Sequence, residues 1–155
     1  MNKAFVRETD DEWASNRLPD RAIPTEPNLV TTEGLAGIKE MVDLAQAQHS
    51  AARDAGDANE VARTERDLRY WTARQATAQV VTATSASDAV EFGSSVTIKR
   101  HYGRKQTFRI VGTDEADPAR GTLSYISPLA KALLGRSKGD VVRVGEGDAE
   151  ITQIQ

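Results

Sequence analysis

Two carboxylate residues, Asp57 and Glu60, follow Gly56 in the N-terminal half, at a spacing that could support chemistry. Magnesium prefers hard oxygen ligands and commonly binds one or two carboxylates while it keeps several waters. Two carboxylates at an exposed helix end could therefore complete a metal shell and orient an attacking water. The same pattern also matches a capping box, in which an Asp and a Glu three residues later bond the free N–H groups of a helix start. These residues alone leave both interpretations open.

Periodic apolar residues on either side of this pair predict two helices within residues 31–82. The first helix has a candidate N-cap at Thr31 or Thr32, and both patterns follow the spacing of a coiled-coil seam. The seam positions are Leu35, Ile38, Val42, Ala45, His49 and Ala52 in the first helix, and Val61, Thr64, Leu68, Trp71, Gln75 and Ala78 in the second. Because a short breaker around Gly56 separates the two patterns, we predict an antiparallel hairpin with the carboxylates at its tip.

Beyond a hinge at residues 83–88 the pattern changes to short alternating strands separated by turns. Ser127 and Pro128 supply a hydroxyl cap and a proline at the first position of a short helix that ends at Gly135. We therefore predict an α+β protein, with a helical hairpin in front of a small β-rich domain that contains one short helix. The expected organisation is a tail at 1–28, the hairpin at 29–83 and the β-rich domain at 84–155.

The tail is interrupted by Pro19, Pro24 and Pro27, so a long helix is not expected there. It nevertheless carries several apolar residues, which are Phe5, Val6, Trp13, Leu18 and Ile23. These residues either pack on the rest of the protein or form an arm that binds a partner, and the sequence leaves both possibilities open.

Composition limits the function further. The formal net charge of the 155 residues is −3, so any grip on nucleic acid must come from a local patch. The chain has no cysteine and two separated histidines, which argues against a disulfide framework and a zinc site of the usual His/Cys kind. No apolar stretch approaches the ~18 residues needed to span a membrane, and no signal peptide is evident. We expect a cytoplasmic monomer with no membrane contact and no cofactor of its own.

Three stretches of the C-terminal half carry a recognisable pattern: FGSSVTIKR, TFRIVGTDEAD and, most specifically, SYISPLAKALLGRSKGDVVRV at Ser124–Val144. In the first half, LVTTEG at residues 29–34 and the stretch from RYW at 69–71 to QVV at 79–81 match in layout. On these residues the chain resembles the bacterial GreA/GreB family of transcription elongation factors from about residue 29 onward. Residues 1–28 lie outside the core family pattern.

The resemblance implies an antiparallel coiled coil followed by a C-terminal domain of FKBP-like fold. That domain docks at the rim of the RNA polymerase secondary channel, and the coiled coil enters the channel. Two acidic residues at the tip, matched here by Asp57 and Glu60, then help to hold the catalytic Mg²⁺ of the polymerase. The polymerase itself cuts the backtracked RNA, so the factor is an accessory protein rather than an enzyme.

The resemblance also suggests which other residues meet the polymerase and the transcript. Docking is expected at Tyr125, Ile126, Ser127, Pro128 and Leu129. Contact with the RNA 3′ end, as part of a wider association with the transcribed DNA and RNA, is expected at Arg53, Arg63 and Arg66. The alternative for these arginines is a solvated helix face on which they pair with Glu60, Glu65 and Asp67.

Two departures from the family pattern bear on function. Only 23 positions separate Gly34 from Asp57 and 24 separate Asp57 from Val81, whereas typical family members have arms about eight to ten residues longer. The reach is thus shortened by roughly 12–15 Å. Short hairpins also resemble the regulators of nucleoside diphosphate kinase, which are Gre-like but not cleavage factors. In addition, Ile126 stands where the family usually has Asp or Asn.

Other functions stay open at this stage. An FKBP-like fold would allow a peptidyl-prolyl isomerase, whose pocket would need the few aromatic residues of this half: Phe92, Tyr102, Phe108 and Tyr125. A plain coiled-coil adaptor would leave the Ser124–Val144 stretch unexplained. His101, in the sequence KRHYGRK, belongs either to a solvated hairpin end or to a basic contact patch.

Overall fold

The computed structural model describes residues 17–84 and 87–155. These residues form two compact units. The first contains the described residues up to Thr25 together with Ile38–Thr77, and the second contains Glu26–Gly37 and the described residues from Ala78 to Gln155. The borders predicted at residues 29 and 84 follow changes in sequence pattern and stay predictions. The tail residues Phe5, Val6 and Trp13 lie outside the described residues.

The two predicted helices are confirmed as α1 (Thr32–Ala55) and α2 (Ala58–Thr77). Most apolar seam positions are buried: Ile38, Val42, Ala45 and Ala52 in α1, and Val61, Thr64 and Trp71 in α2. His49 Nδ1 lies 3.2 Å from the Thr64 hydroxyl, which joins the two helices across the seam. The half-buried His49 therefore belongs to the hairpin interior, as its seam position predicts.

The seam prediction is wrong at the end of α2. Gln75 is exposed, while Tyr70 and Arg74 are buried instead. Ala78 lies outside the helix, because α2 ends at Thr77 and the chain continues as an extended strand. Tyr70 is covered on one side by the Arg21 guanidinium, 3.9 Å from its ring centre, so the strict seam pattern could not have revealed its burial.

The second unit contains a five-stranded sheet in the order β5-β4-β3-β7-β6. Its strands are β3 (Ser95–Arg100), β4 (Lys105–Val111), β5 (Thr122–Ser124), β6 (Val141–Val144) and β7 (Gly147–Ile154). β4 and β5 run parallel, and the other neighbours are antiparallel. A 3₁₀ turn at Pro118–Arg120 precedes β5, and helix α3 (Pro128–Leu133) follows it. The predicted α+β class, with a hairpin before a β-rich domain that has one short helix, is confirmed.

Alternating apolar residues build the core of this unit. Val96 and Ile98 on β3, Ile110 on β4 and Ile151 on β7 are fully buried, together with Leu133 on α3. Because side chains alternate between the two faces of a strand, these positions lie on one side of the sheet, where α3 covers them. Within the described residues, no helix combines the length and the apolarity that crossing a membrane requires.

A second, small pairing was not predicted. Strand β1 (Leu29–Val30) runs parallel to β2 (Gln79–Val80), so the chain just before α1 lies beside the chain just after α2. The Tyr125 hydroxyl donates a hydrogen bond to the Pro27 carbonyl in the same unit. Residues 26–37 are thereby attached to the sheet unit through backbone and side-chain contacts.

The start of α1 is held by the Glu115 carboxylate. Thr31 is the N-cap, since its Oγ1 accepts the Gly34 N–H at 3.0 Å. Glu115 Oε2 accepts the Thr31 N–H at 3.0 Å, and Oε1 accepts the Thr31 hydroxyl at 2.5 Å. Hydrogen bonds to a charged group are stronger than neutral ones, and Thr31 is 2% exposed. Glu115 therefore fixes the first turn of α1 to the connection that follows β4.

Two glycines make room for this carboxylate. A Cβ on Gly34 would stand 1.8 Å from Glu115 Oε2, and a Cβ on Gly112 would stand 2.5 Å from the Leu29 carbonyl oxygen. Gly34 lies inside α1, where glycine is normally less stable than alanine. Close approach of the carboxylate, rather than backbone conformation, explains glycine at position 34.

We expect Gly34→Ala to destabilise the protein by at least about 2 kcal/mol. The added methyl displaces Glu115 and removes two hydrogen bonds to a charged group, each worth about 1.5–3 kcal/mol, against a helix-propensity gain of about 1 kcal/mol. Gly37→Ala, three positions later in the same helix, meets no atom within 4 Å and should stabilise slightly. Urea unfolding followed by circular dichroism measures both free energies. Equal stabilisation by the two substitutions would contradict the role given to Glu115.

Candidate functional site

The turn at the hairpin tip is built by Gly56. Its N–H donates to the Arg53 carbonyl at 3.1 Å, and the Asp57 N–H donates to the Ala52 carbonyl at 3.2 Å. These two bonds define a Schellman motif, which needs a left-handed residue after the helix end. Gly56 supplies it with φ +67°. The glycine therefore sets the position at which the acidic pair begins.

Asp57 caps the second helix. Its Oδ1 accepts the Glu60 N–H at 3.2 Å, and its carbonyl accepts the Val61 N–H at 2.9 Å. The residue is exposed at the end of the hairpin. The N-cap predicted from the sequence is confirmed, and the carboxylate stands in solvent at the tip while it caps.

Glu60 does not complete the predicted capping box. Its carboxylate binds the Arg63 guanidinium through contacts of 2.7, 3.1 and 3.2 Å. The backbone N–H that a capping box would offer it, on Asp57, is already bonded to Ala52. The structure thus separates the two carboxylates: one caps the helix, and the other forms an exposed ion pair.

The Arg63 contact has an electrostatic consequence. Hydrogen bonds from the Arg63 side chain hold the pKa of the Glu60 carboxyl below its ordinary value, and the same contact raises the pKa of Arg63. The stabilisation by this pair is present above the unfolded pKa of Glu60. It is lost as the pH falls through the lowered folded pKa. The lowered pKa of Glu60 therefore favours its charged form, which the Arg63 guanidinium binds.

The arginines proposed for RNA contact sit among acidic residues. Arg63 also lies 3.4 Å from Asp67, and Arg66 lies 3.5 Å from the other oxygen of Asp67. Arg53 is exposed in the last turn of α1. The structure thus shows the ion pairs of a solvated helix for Arg63 and Arg66, and RNA contact by the three arginines stays a prediction.

Part of the tail packs along α2. Arg69 donates to the Asp20 carboxylate at 2.6 Å and to the Leu18 carbonyl at 3.3 Å. Arg21 pairs with Asp67 at 3.4 Å. For the described residues from Arg17 onward, packing on the protein is thus the observed arrangement, although Ile23 is 46% exposed.

The predicted docking segment is a turn that leads into α3. Tyr125 and Leu129 pack against the core, and Tyr125 meets Phe92 edge-to-face with ring centres 5.6 Å apart. Ser127 is the N-cap of α3, with its side chain accepting the Ala130 N–H at 3.3 Å. Three of the five residues therefore have structural roles.

Ile126 and Pro128 are the apolar residues of this segment that the core does not use. Ile126 is half-buried and is not among the residues packed on the core, and Pro128 is exposed at the first position of α3. Beside them lies a cavity of about 320 Å³ lined by Leu123, Ser127, Pro128, Leu129, Arg143, Val144 and Gly145. The segment thus has two apolar side chains outside the core, and one of them, Pro128, lines this cavity.

The aromatic residues invoked for an isomerase pocket are used elsewhere. Phe92 is buried, and Phe108 and Tyr125 pack against the core. Tyr102 is 62% exposed on the turn between β3 and β4. Three of these four rings are thus used in packing, so the isomerase interpretation loses the support it had from the sequence.

No group of three or more histidine, aspartate or glutamate side chains could hold a metal ion within the part of the chain that the structure describes. Asp57 and Glu60 therefore supply at most part of a coordination shell. A metal bound by them would need its other ligands from another molecule.

Comparison with known proteins identifies relatives of both halves. A family model described as the C-terminal domain of the transcription elongation factors GreA/GreB matches residues 84–154. GreA of Desulfovibrio desulfuricans is 36% identical over 114 residues, which cover 72% of this chain and 70% of that protein. GreA of Mycoplasmopsis pulmonis is 45% identical over 71 residues, and GreB of Neisseria meningitidis serogroup B is 43% identical over 91 residues. The chain spans about half the length of these last two relatives, 45% and 56%.

Two solved structures show weaker likeness. GreA factor homolog 1 of Thermus thermophilus has a TM-score of 0.42 and 19% identity, covering 84% of this chain and 99% of that one. A GreA/GreB factor from Nitrosomonas europaea has a TM-score of 0.42 and 17% identity, covering 82% and 98% of the two chains.

The helix cap at Asp57 can be tested apart from any activity. We expect Asp57→Ala to lower the free energy of unfolding by about 1 kcal/mol, because alanine cannot accept the Glu60 N–H. Asp57→Ser keeps an acceptor oxygen and should leave stability nearly unchanged. Urea unfolding of both variants measures the difference. A stability loss that is the same for serine and alanine would contradict the capping role.

Proposed function

The chain belongs to the GreA/GreB family of transcription elongation factors, and we propose that it binds bacterial RNA polymerase and acts through the secondary channel. It is an accessory factor and not an enzyme. The observation that carries the proposal is the stretch Ser124–Val144. This stretch lies inside the family match at residues 84–154 and folds into β5, α3 and β6 around an apolar edge.

Docking at the channel rim is assigned to residues 125–129, and within them to Ile126 and Pro128. The side chains of Ile126 and Pro128 do not pack against the core, whereas those of Tyr125 and Leu129 do. An apolar residue at position 126 buries hydrocarbon against the partner rather than forming a polar contact. The five residues therefore divide into two that meet the polymerase and three that hold the segment in shape.

We expect Ile126→Lys to weaken binding to core RNA polymerase at least tenfold, because it replaces an apolar contact by a charge that must lose water. Ile126→Val keeps the apolar surface and serves as the matched control. Binding of a labelled full-length chain, measured by fluorescence anisotropy, compares the two. Equal affinities for the lysine and valine variants would remove position 126 from the interface.

Two forms of activity at the tip are proposed. In the first, Asp57 and Glu60 join the Mg²⁺ of the polymerase active site and stimulate cleavage of backtracked RNA. Both carboxylates are exposed at the end of the hairpin, which supports it. In the second, the protein occupies the channel without cleavage, as a Gre-like regulator resembling the regulator of nucleoside diphosphate kinase. The Arg63 contacts of Glu60 and the 20-residue α2, about 30 Å long, support this second form.

Substitutions at the tip distinguish these forms. If the carboxylates act on the metal, Asp57→Ser and Glu60→Gln should each abolish stimulated cleavage and leave polymerase binding nearly unchanged, because docking is assigned to another unit. Asp57→Ser keeps the helix cap, so lost activity cannot be attributed to unfolding. The measurement is the rate of RNA shortening in a stalled, backtracked complex.

The two forms of activity predict different results. Wild-type stimulation that persists in both variants rules out the metal role. Absence of stimulation in a wild-type protein that still binds polymerase identifies the channel-occupying form. Such a protein would act by impeding nucleotide access or by excluding longer factors.

The remaining assignments accompany this proposal. Contact of Arg53, Arg63 and Arg66 with the RNA 3′ end requires the arginines of α2 to exchange carboxylates for phosphates. The only metal involved would be the Mg²⁺ of the polymerase. The site of action would be the cytoplasm, where bacterial RNA polymerase transcribes, and the protein would bind as a monomer.

A further inference from the structure

The turn between β3 and β4 presents an unusual surface. The Gly103 N–H donates to the Arg100 carbonyl, and the Arg100 N–H donates to the Arg104 carbonyl, both at 2.8 Å. Gly103 has φ +85°, so the loop is a tight hairpin turn closed by a left-handed glycine. His101 and Tyr102 are thereby placed at its end. Residues Lys99–Lys105 are called the basic turn below.

Positive charge accumulates on the basic turn. Lys99 stands directly opposite Lys105 in the ladder, although like charges in that position destabilise a sheet. Arg100 and Arg104 lie opposite each other, one residue closer to the turn. The chain has no acidic residue between Glu91 and Asp114, while its net charge is −3. This stretch is therefore a local cationic site on an acidic protein.

Three carboxylates of β7 and of the turn before it lie next to this stretch and offset part of its charge, although none of them forms an ion pair with it. Glu150 on β7 pairs with Lys99 in the ladder, and Asp148 and Glu146 precede it along the chain. Within the described residues, none of the four cations of the basic turn forms an ion pair. The Arg100 side chain donates to the Gln106 amide oxygen at 3.1 Å, and the other three cations are exposed.

An aromatic ring stands among these cations. Tyr102 is 62% exposed, and its ring meets the His101 ring edge-to-face at 5.0 Å. His101 in turn lies against Gly147, where a Cβ would come within 2.5 Å of Nδ1. The histidine is seated on the adjacent turn and supports the tyrosine from the side. One face of the tyrosine ring can therefore accept a stacking partner.

We propose that the basic turn is a contact site for single-stranded nucleic acid, with phosphates on Lys99, Arg100, Arg104 and Lys105 and a base stacked on Tyr102. Cations that track a phosphate backbone together with an exposed aromatic ring are the two components of such sites. A single strand uses both the cations, through its phosphates, and the exposed ring, through its bases, so nucleic acid is the occupant that we infer. Its residues are different from those of the hairpin tip and from residues 125–129.

Binding of short oligonucleotides to the full-length chain, without polymerase, tests the proposal. Fluorescence anisotropy would be recorded with labelled oligo-U and oligo-dT of about 12 nucleotides over a salt series that starts near 50 mM. We expect Tyr102→Ala to weaken binding roughly tenfold, whereas Tyr102→Phe retains it. Arg104→Gln/Lys105→Gln should weaken binding and reduce the salt slope by about 1.4, since each lost phosphate contact on a single strand is worth about 0.7.

The control is a pair of exposed lysines in the same unit. Lys131→Gln/Lys138→Gln removes the same charge and should leave both affinity and salt slope nearly unchanged. Preference for oligo-U or oligo-dT assigns the site to RNA or DNA. The proposal is overturned if the two double variants lose affinity equally, or if the wild type shows no binding up to about 1 mM. It is also overturned if the basic-turn variants bind the oligonucleotides as tightly as the wild type does, which would leave an acidic protein as the partner of this turn.

Discussion

The interaction on which the rest of the structure depends is the pair of hydrogen bonds from Thr31 to the Glu115 carboxylate. It connects residues 84 positions apart in the chain and closes the N-terminus of α1 against the sheet unit. A helix start leaves backbone N–H groups without partners, so a buried start requires an acceptor. Here Thr31 caps the helix from the position just before it, and Glu115 accepts the N–H and the hydroxyl of Thr31. Both strings of residues that mark the family, LVTTEG and VGTDEAD, meet at this contact, which gives a physical reason for their joint presence.

At the hairpin tip, contacts within the protein already use the two carboxylates that metal binding would need. Asp57 caps α2 while it stands in solvent, and Glu60 is bound by Arg63. A metal could use the free surface of Asp57 without breaking the cap, but it would have to draw Glu60 away from a guanidinium. Exposed ion pairs are individually weak, so a divalent cation in a polymerase active site could compete. In the free protein the Glu60 carboxylate is therefore held by Arg63, at the start of a helix of 20 residues.

The sequence predicts the helices and helix caps, because interactions between residues close in the chain build them. The periodicity through Ile38 and Val42 predicts α1, and Ser127 is predicted as a helix cap because its hydroxyl acts within three residues. For Asp57 the sequence leaves a cap and a metal ligand both open, and the structure shows the cap. Contacts between residues far apart in the chain are not predicted, because no periodicity encodes them. The contacts of Tyr125 with Pro27 and of Glu115 with Thr31 are examples. The sequence does not distinguish Gly34 from Gly37, and only the structure shows the Glu115 carboxylate beside Gly34. For the Glu60 carboxylate the sequence leaves two partners open, the backbone N–H of a capping box and an arginine. The Gly56 turn bonds the Asp57 N–H to Ala52, so the carboxylate binds Arg63.

The central claim, that this short-hairpin protein is an RNA polymerase factor, is tested most directly by competition. A labelled wild-type chain would be mixed with core RNA polymerase and titrated with an unlabelled GreA of ordinary hairpin length. The account predicts binding with a dissociation constant on the order of micromolar and complete displacement by GreA, because the two share one channel rim. Absence of binding at about 100 µM polymerase, or binding that GreA leaves unchanged, would contradict it.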